Sequence, residues 1–199
     1  MHFSTATILA SLATLGASAP NYAASPAPTP VPTSTPLGSK PFGLRAFRTG
    51  SAVQNGQISA AKTALFVNLP EQGASCDGYG TNGPNFATFV LIDEVLFLYA
   101  QSATPQTVYV DRSGMANGVV GYLTGAQPAS STAETKGWAI RDGYLYFKEF
   151  TLLACPNSVQ GAWGIRLATG TVPAGLKDCV SIGASVEEIA QPVGCLYTQ

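Results

Sequence analysis

The sequence predicts an all-β protein, an antiparallel β-sandwich or barrel pinned by disulfides. Short runs rich in β-branched and aromatic residues recur along the chain, and turn residues separate them, with 21 glycines and 14 prolines among 199 residues. One run, Trp138 to Phe150, contains Asp142-Gly143, a dipeptide that favours a two-residue hairpin turn. Four cysteines are enough for two disulfides.

The chain divides into three parts by composition. Residues 1–19 form a short apolar run that ends in Ala17-Ser18-Ala19, the pattern of a cleaved secretory signal. Residues 20–41 carry frequent proline together with Ser and Thr, which predicts a disordered arm that acts as a spacer, a glycosylated stalk or a wall-contacting tether. Residues 42–199 remain for one all-β domain.

The strands of this domain are predicted from alternating apolar runs and the turns between them. The first covers Phe42 to Phe47, and an early turn follows at Arg48–Ser51. A helix fits only at Ser185–Ala190. The other predicted strand regions, in chain order, are Ile58–Asn68, Phe89–Ile92, Val95–Leu98, Gln106–Asp111, Gly118–Leu123, Trp138–Arg141, Tyr144–Phe147, Phe150–Cys155, Gly161–Ala168, Cys179–Ala184 and Gly194–Thr198.

The Asp142-Gly143 hairpin has a defined register because its turn has two residues. The predicted pairs are Arg141 with Tyr144, Ile140 with Leu145, Ala139 with Tyr146 and Trp138 with Phe147. Side chains alternate between the faces of a strand, so one face is apolar and the other is wetter. The predicted inner face is Trp138, Ile140, Leu145 and Phe147, and the outer face is Arg141, Tyr144, Tyr146 and Lys148.

A second hairpin is predicted 49 residues earlier, around Asp93-Glu94. It is apolar at nearly every position, which predicts a central hairpin with both faces covered. Glutamate adopts a positive φ less readily than glycine, so Glu94 predicts a longer or different turn there.

Composition excludes several classes of function. Only 11% of residues are charged and the net charge is −1, so no nucleic-acid partner and no acidic membrane surface is predicted. No apolar run beyond the signal is long enough to span a membrane. The only histidine is His2, inside the signal, which removes histidine-based nucleophiles and histidine metal sites from the mature protein. No cofactor, metal or catalytic residue is predicted.

Carboxylates are the remaining catalytic candidates, and a glycosidase needs two of them flanking a cleft. Asp93, Asp111 and Asp142 stand in turn contexts, where aspartate is favoured for local backbone reasons. A carboxylate-based glycan-active enzyme is therefore an alternative of low weight. The candidates are Asp93, Glu94, Asp111, Asp142, Glu149, Glu187 and Glu188.

Aromatic residues on the outer face of the Asp142-Gly143 hairpin are the better functional candidates. Tyr144 and Tyr146 could stack on sugar rings, because an aromatic face offers apolar area beside a polar tip. The alternative is that they complete the packing of the sheet. Five more aromatic residues could join them if exposed, namely Tyr79, Tyr99, Tyr109, Tyr122 and Trp163.

An ordered series of short motifs over residues 42–199 resembles a known family. These motifs are Arg48-Thr-Gly-Ser51, Gln106-Thr-Val-Tyr-Val-Asp-Arg-Ser-Gly114, Gly143-Tyr-Leu-Tyr-Phe147, Leu153-Ala-Cys-Pro156, Asp178-Cys179 and Pro192-Val-Gly194. The chain thereby resembles the small secreted fungal cell-wall proteins of the PhiA type. The resemblance implies no catalytic residues. It implies a secreted, non-enzymatic wall protein whose partners are wall polysaccharide or wall proteins, with a host protein as the partner if the chain is instead a secreted effector.

The resemblance also selects among the three pairings that four cysteines allow. Cys155 and Cys179 match the later cysteine pair of the family. The family's early local pair is reduced to Cys76, and Cys195 stands near the C-terminus. The implied disulfides are therefore Cys155 with Cys179 and Cys76 with Cys195, worth roughly 3 and 4 to 5 kcal/mol in the chain-entropy model.

Overall fold

The computed structural model describes residues 40–101, 103–170 and 176–199. The predicted signal, residues 1–19, lies outside the described residues, as does the predicted arm except for Lys40 and Pro41.

The described residues form fifteen strands and one short 3-10 turn at Val159–Gly161, which confirms the all-β class. The strands are β1 (Phe42–Phe47), β2 (Ile58–Ala61), β3 (Ala64–Val67), β4 (Ser75–Cys76), β5 (Thr88–Ile92), β6 (Val95–Leu98), β7 (Gln106–Asp111), β8 (Val119–Thr124), β9 (Ala133–Glu134), β10 (Trp138–Arg141), β11 (Tyr144–Phe147), β12 (Leu152–Cys155), β13 (Trp163–Leu167), β14 (Val180–Glu188) and β15 (Cys195–Leu196).

Nine of these strands close into an antiparallel barrel, the second of the two predicted architectures. Their order around the wall is β1, β5, β6, β7, β8, β3, β13, β12 and β14, after which β14 returns to β1. The closing contact is the pairing of β1 with β14, which runs from Phe42 opposite Glu188 to Phe47 opposite Gly183. Closure leaves no free edge within the ring itself.

The interior of the barrel is apolar because alternate residues of each strand point inward. In β1, Phe42, Leu44 and Ala46 are buried, whereas Phe47 at the end of the strand is exposed. The Phe42 and Phe89 rings stack with their centroids 6.1 Å apart. The largest fully buried side chains are Trp138, Tyr122, Tyr197, Phe42, Phe89 and Phe147.

The β10–β11 hairpin has the predicted register in all four pairs, from Arg141 opposite Tyr144 to Trp138 opposite Phe147. Asp142 and Gly143 have φ values of 50° and 78°, as a type I′ turn requires. The hairpin joins the barrel wall through β14, where Tyr144 lies opposite Ser185. Strands β1, β14, β11 and β10 are thus consecutive neighbours in one sheet.

Two predictions about the β5–β6 hairpin are wrong. The turn has only two residues, since Ile92 pairs with Val95, and both Asp93 and Glu94 have positive φ. The carbonyl of Glu94 accepts hydrogen bonds from the N–H groups of Gly137 and Trp138, and these tertiary bonds offset the unfavourable backbone conformation. The outer face of the hairpin is also not fully covered, because Ile92 at the tip is 52% exposed.

The prediction of a possible helix at Ser185–Ala190 is wrong as well. Residues Val180–Glu188 form β14, the longest strand among the described residues. It pairs with β1 on one side and with β12 and β11 on the other, so its backbone hydrogen bonds are satisfied by the sheet. This tertiary pairing overrides the local helix preference of the Glu187-Glu188 segment.

Two disulfides join Cys76 to Cys195 and Cys155 to Cys179, which is the pairing implied by the family resemblance. Cys76 and Cys195 lie opposite each other in the small β4–β15 sheet, with their Cα atoms 4.0 Å apart. Cys155 ends β12 and Cys179 directly precedes β14, with a Cα separation of 4.1 Å. The first disulfide holds the C-terminus, and the second holds the entry to β14.

The residues after β15 are bound against the barrel by buried hydrogen bonds. The side-chain amide of Gln106 donates to the carbonyl of Tyr197 at 2.9 Å and accepts from its N–H at 2.8 Å. The Tyr197 hydroxyl accepts from the N–H of Thr88, and burial raises the pKa of Tyr197 to about 12. The carbonyl of Thr198 accepts from the Tyr122 hydroxyl. The C-terminal segment is therefore part of the core.

Candidate functional site

Tyr144 and Tyr146, the residues predicted to contact glycans, lie on the outer face of β11. Leu145 and Phe147 alternate with them and are buried. Phe147 packs edge-to-face on Trp138, with ring centroids 5.0 Å apart. Because Leu145 and Phe147 point into the core, both tyrosines must point away from it.

The register of the sheet brings Phe47 into the same surface. Phe47 ends β1 and lies opposite Gly183 of β14, while Tyr144 lies opposite Ser185 on the other side of that strand. Continuing the β11–β14 register by two residues places Tyr146 beside Gly183. Phe47 and Tyr144 flank Gly183, and Tyr146 follows Tyr144 on the same face of β11. These four residues are called here the aromatic face.

Gly183 lets the aromatic face lie close to the backbone of β14. A β-carbon at this position would come within 3.1 Å of the Tyr144 ring and 3.9 Å of the β-carbon of Phe47. The ring therefore covers the bare backbone of the glycine, and almost any side chain there would displace it. Phe47 is 46% exposed and Tyr146 is 37% exposed, so their rings remain accessible.

Arginines stand at two sides of the aromatic face. The Arg141 guanidinium lies 4.7 Å from the centre of the Tyr146 ring, a cation–π contact. It donates to the carbonyl of Lys148 at 2.7 Å and to Glu149 at 3.3 Å, which fixes its position. On β1, Arg45 donates to Glu187 at 2.6 Å. The face thus combines apolar rings with hydrogen-bond donors held by the fold.

Phe47 and Gly183 were not singled out as site residues from the sequence. Alternation in β1 places Phe42, Leu44 and Ala46 inside, which already puts Phe47 outside. The role of Gly183 has no local signal, because it depends on the pairing of β14 with β1 and β11.

The remaining aromatic candidates lie apart from this patch or inside the protein. Tyr122 is buried, and burial raises the pKa of its hydroxyl. Tyr79 is 57% exposed but belongs to the loop that follows β4. Tyr99, Tyr109 and Trp163 are half-buried.

The candidate carboxylates are dispersed into local structural roles. Asp93 and Asp142 occupy turn positions with positive φ. Glu187 pairs with Arg45, and Glu149, whose side chain is 87% exposed, pairs with Arg141. Glu94 and Glu188 are exposed. None of these carboxylates is seen paired with another across a cleft, as a glycosidase would require.

Asp111 is a buried structural carboxylate. One oxygen accepts from the N–H of Ser113 at 3.0 Å, and the other accepts from the hydroxyls of Thr132 at 2.7 Å and Ser130 at 3.0 Å. These hydrogen bonds, led by the backbone bond from Ser113, lower the pKa of Asp111 to about 2. The carboxylate ties the loop before β9 to the end of β7.

We expect Asp111→Asn to cost about 2 kcal/mol at pH 7, because an amide can turn its oxygen towards the two hydroxyls or towards the Ser113 N–H, but not towards both. The folded pKa lies below the unfolded value of 3.8, so this stabilisation is present above pH 4 and is lost as the pH falls towards 2. Denaturant unfolding of both proteins at pH 7 and pH 2.5 tests this. An equal difference at the two pH values would contradict it.

Glu134 anchors an ion-pair network that sequence patterns did not indicate. Arg112 donates to both of its oxygens, at 2.6 and 2.9 Å, and Lys148 donates to it as well. The Arg112 bond and then the Lys148 bond lower the pKa of Glu134 to about 2. Arg112 also lies 4.6 Å from the centre of the Phe150 ring. The network links β9 to the β10–β11 hairpin beside the aromatic face.

Residues 40–101, 103–170 and 176–199 contain neither a metal-binding cluster nor a membrane-spanning helix. No three His, Cys, Asp or Glu side chains in these ranges come together in a cluster able to hold a metal ion. Nor do these ranges contain a helix long and apolar enough to cross a membrane.

The chain is similar to secreted fungal proteins over most of its length. Residues 42–198 match the family model described as "PhiA-like secreted protein". A protein named "Cell wall protein phiA" from Aspergillus fumigatus is 50% identical over 162 residues, which cover 80% of this chain and 86% of the relative. The proteins of that name from Aspergillus niger and Emericella nidulans are 46% and 41% identical, covering 80% and 83% of this chain and 86% and 91% of theirs. No solved structure matches the chain.

Proposed function

Because the chain belongs to the PhiA-like secreted protein family, we propose that it is a non-enzymatic protein of the fungal cell wall that contacts wall glycan through the aromatic face. Relatives at 50%, 46% and 41% identity carry the name of a cell wall protein, which supports a secreted protein with a place in the wall. The observation that carries glycan contact is the group of Phe47, Tyr144 and Tyr146 around Gly183, in which Phe47 and Tyr146 are exposed and Tyr144 is half-buried.

The shape of the aromatic face suits a polymer surface. The patch lies on the outer face of a sheet rather than in a deep pocket, so a chain or layer of sugar rings can approach it. Aromatic rings bind the apolar faces of sugars, while tyrosine hydroxyls and arginine donate hydrogen bonds to their oxygens. Since Gly183 and Arg141 hold Tyr144 and Tyr146 in place, little conformational entropy is lost on binding.

The state of the carboxylates supports the non-enzymatic part of the proposal. A glycosidase requires one carboxylic acid with a raised pKa to protonate the leaving group. Hydrogen-bond donors lower the pKa of Asp111 and of Glu134, the opposite of what a general acid requires. If the secreted protein released soluble products from chitin or β-glucan, this part of the proposal would be overturned.

Removal of aromatic side chains should weaken glycan binding. Phe47→Ala and Tyr146→Ala are each expected to reduce affinity for insoluble chitin or β-glucan roughly fivefold, which corresponds to about 1 kcal/mol per stacked ring. Co-sedimentation of the secreted protein with each polysaccharide measures this. Tyr79→Ala, which removes an exposed tyrosine elsewhere on the surface, is the matched control and should bind as the unmodified chain does.

Two outcomes would contradict glycan contact through this face. One is equal sedimentation of all three variants and the unmodified chain, and the other is an equal loss for Tyr79→Ala.

Fractionation of the producing fungus distinguishes a protein held in the wall from one released into the medium. We expect most of the protein in the wall fraction, whereas recovery in the medium alone would favour a secreted effector.

A further inference from the structure

A recess opens on the outside of the barrel wall, away from the aromatic face. It has a volume of about 330 Å³ and lies where β3, β8 and β13 meet. Its walls are largely apolar, with Phe66, Val119 and Ile165 among them. Its polar side chains come from Lys62, Asn157, Ser158 and Arg166. Strand β12 stands between β13 and β14, which separates this recess, called here the Arg166 cleft, from the aromatic face.

Arg166 brings a half-buried positive charge into the cleft without a compensating acid. It points outward from β13, opposite Leu153 on one side and Val119 on the other. Within the described part of the chain its guanidinium donates one hydrogen bond, to the carbonyl of Ala116 at 3.2 Å. All 11 Asp and Glu residues of the chain fall within the described ranges, and none of them forms an ion pair with Arg166. Burial lowers the pKa of Arg166, because desolvation disfavours the charged guanidinium.

Arg166 differs in this respect from three arginines elsewhere on the barrel. Arg45, Arg112 and Arg141 each lie within hydrogen-bonding distance of a glutamate. A buried cation normally has a counter-charge or a full set of acceptors. The guanidinium has five N–H donors, so a single carbonyl partner leaves most of them available to a ligand.

Lys62 adds a second cation at the rim of the cleft. Lys62 and Thr63 form the two-residue turn between β2 and β3, with φ values of 48° and 60°. A β-branched residue such as Thr63 rarely adopts a positive φ. Hydrogen bonds to Thr198 hold both residues, from the Lys62 N–H to the hydroxyl at 3.1 Å and from the Thr63 N–H to the carbonyl at 3.3 Å. The C-terminal segment thus fixes an unfavourable turn that places Lys62 at the cleft.

The loop after Cys155 forms another part of the lining. A β-carbon on Gly164 would lie 3.3 Å from the hydroxyl of Ser158, so the glycine lets this loop approach β13. The Ser158 hydroxyl makes no capping bond to the 3-10 turn that follows it. A neutral donor therefore lines the same cleft as the two cations.

We propose that the Arg166 cleft binds a small organic acid, a molecule with one carboxylate on an apolar body of about the size of a single ring. A recess of about 330 Å³ with apolar walls and a few convergent polar groups is typical of small-molecule sites. A guanidinium matches the two oxygens of a carboxylate in a bidentate pair. The apolar walls suit a monoanion with a hydrophobic part better than a strongly hydrated dianion. This site goes beyond the proposed glycan contact and does not depend on it.

Benzoate and benzyl alcohol form a matched pair of probes, equal in ring size and different in charge. Titration of the secreted full-length protein at pH 7, followed by NMR, should show saturable binding of benzoate and binding of benzyl alcohol at least tenfold weaker. Arg166→Gln should weaken benzoate binding about tenfold, because it removes the charge-assisted bonds. Lys62→Asn, which suits the positive φ of the turn, should weaken it two- to threefold.

Lys136→Gln is the control, since Lys136 is an exposed cation outside the cleft and should leave benzoate binding unchanged. Three results would overturn the proposal. These are no saturation by 20 mM benzoate, equal affinity for benzoate and benzyl alcohol, and unchanged benzoate affinity in both folded cleft variants. If Arg166→Gln does not fold, Lys62→Asn alone decides the outcome.

Discussion

Replacing both Cys76 and Cys195 with alanine is expected to lower the free energy of unfolding by about 4 to 5 kcal/mol. The two cysteines are 119 residues apart, so their disulfide closes a loop of most of the domain and strongly restricts the unfolded chain. The same bond holds β15 against β4, directly before the buried Tyr197. Loss of the bond therefore also loosens the C-terminal segment that completes the core.

The matched comparison is replacement of both Cys155 and Cys179 with alanine. These residues are only 24 apart, and the expected loss is about 3 to 3.5 kcal/mol. Chemical denaturation of the oxidised proteins, with peptide mapping under non-reducing conditions to establish the bonds, measures both effects. A larger loss for the shorter loop would contradict the chain-entropy explanation, and a peptide joining Cys76 to Cys155 would contradict the pairing itself.

Local residues were sufficient to predict the β10–β11 hairpin in full. Asp142-Gly143 accepts positive φ at both turn positions, and the alternation of Trp138, Leu145 and Phe147 with polar neighbours leaves one register with a buried face. Turn chemistry and hydrophobic pattern agree there, so no distant contact was needed to choose between alternatives.

The turns of the two other tight hairpins could not be predicted in this way, although the Asp93-Glu94 hairpin itself was. Lys62-Thr63 and Asp93-Glu94 form two-residue turns although neither pair favours positive φ. Each turn is held by hydrogen bonds to a distant segment, Thr198 in the first case and Gly137 with Trp138 in the second. Partners so far along the chain leave no local signal in the sequence, which is why one strand region was predicted from Ile58 to Asn68 where the structure has β2 and β3.

Only two of the four residues of the aromatic face were predicted, because the other two are brought there by distant strands. Tyr144 and Tyr146 followed from the alternation within one hairpin. Gly183 joins them through the pairing of β14 with β11, about 40 residues apart, and Phe47 through the pairing of β1 with β14, about 140 residues apart. The helix proposed at Ser185–Ala190 would have removed Ser185 from this sheet, so an error in one element also hid part of the site. Arg166 illustrates a further limit, since the absence of an acidic partner is visible only in three dimensions.

Gln106→Ala is expected to reduce the free energy of unfolding by about 3 to 5 kcal/mol, although no charge or disulfide is touched. Gln106 is fully buried and supplies the hydrogen bonds for both the N–H and the carbonyl of Tyr197, as a neighbouring strand would. It also donates to the hydroxyl of Thr124 at 3.0 Å. Alanine leaves two buried backbone groups without partners and a cavity beside Tyr197. Gln127→Ala is the control. It removes an exposed amide that bonds to Gln199 and to the N–H of Thr124, and it should cost less than about 1 kcal/mol because solvent can replace both bonds.

Gln106→Glu separates the loss of hydrogen bonds from the loss of volume. A protonated Glu side chain can accept from the Tyr197 N–H and donate to its carbonyl, whereas the ionised form places negative charge against that carbonyl. Burial without a cation raises the folded pKa of this carboxyl above its unfolded value near 4.3, so the folded state binds more protons and stability falls as the pH rises above about 4. We expect this variant to lie close to the unmodified chain at pH 4 and to approach Gln106→Ala at pH 7. Protonation of Asp111 and Glu134 in acid destabilises every variant by the same amount. The quantity to measure is therefore the difference in free energy of unfolding between each variant and the unmodified chain at the same pH. A difference that stays constant from pH 4 to pH 7 would show that Tyr197 does not depend on the Gln106 amide.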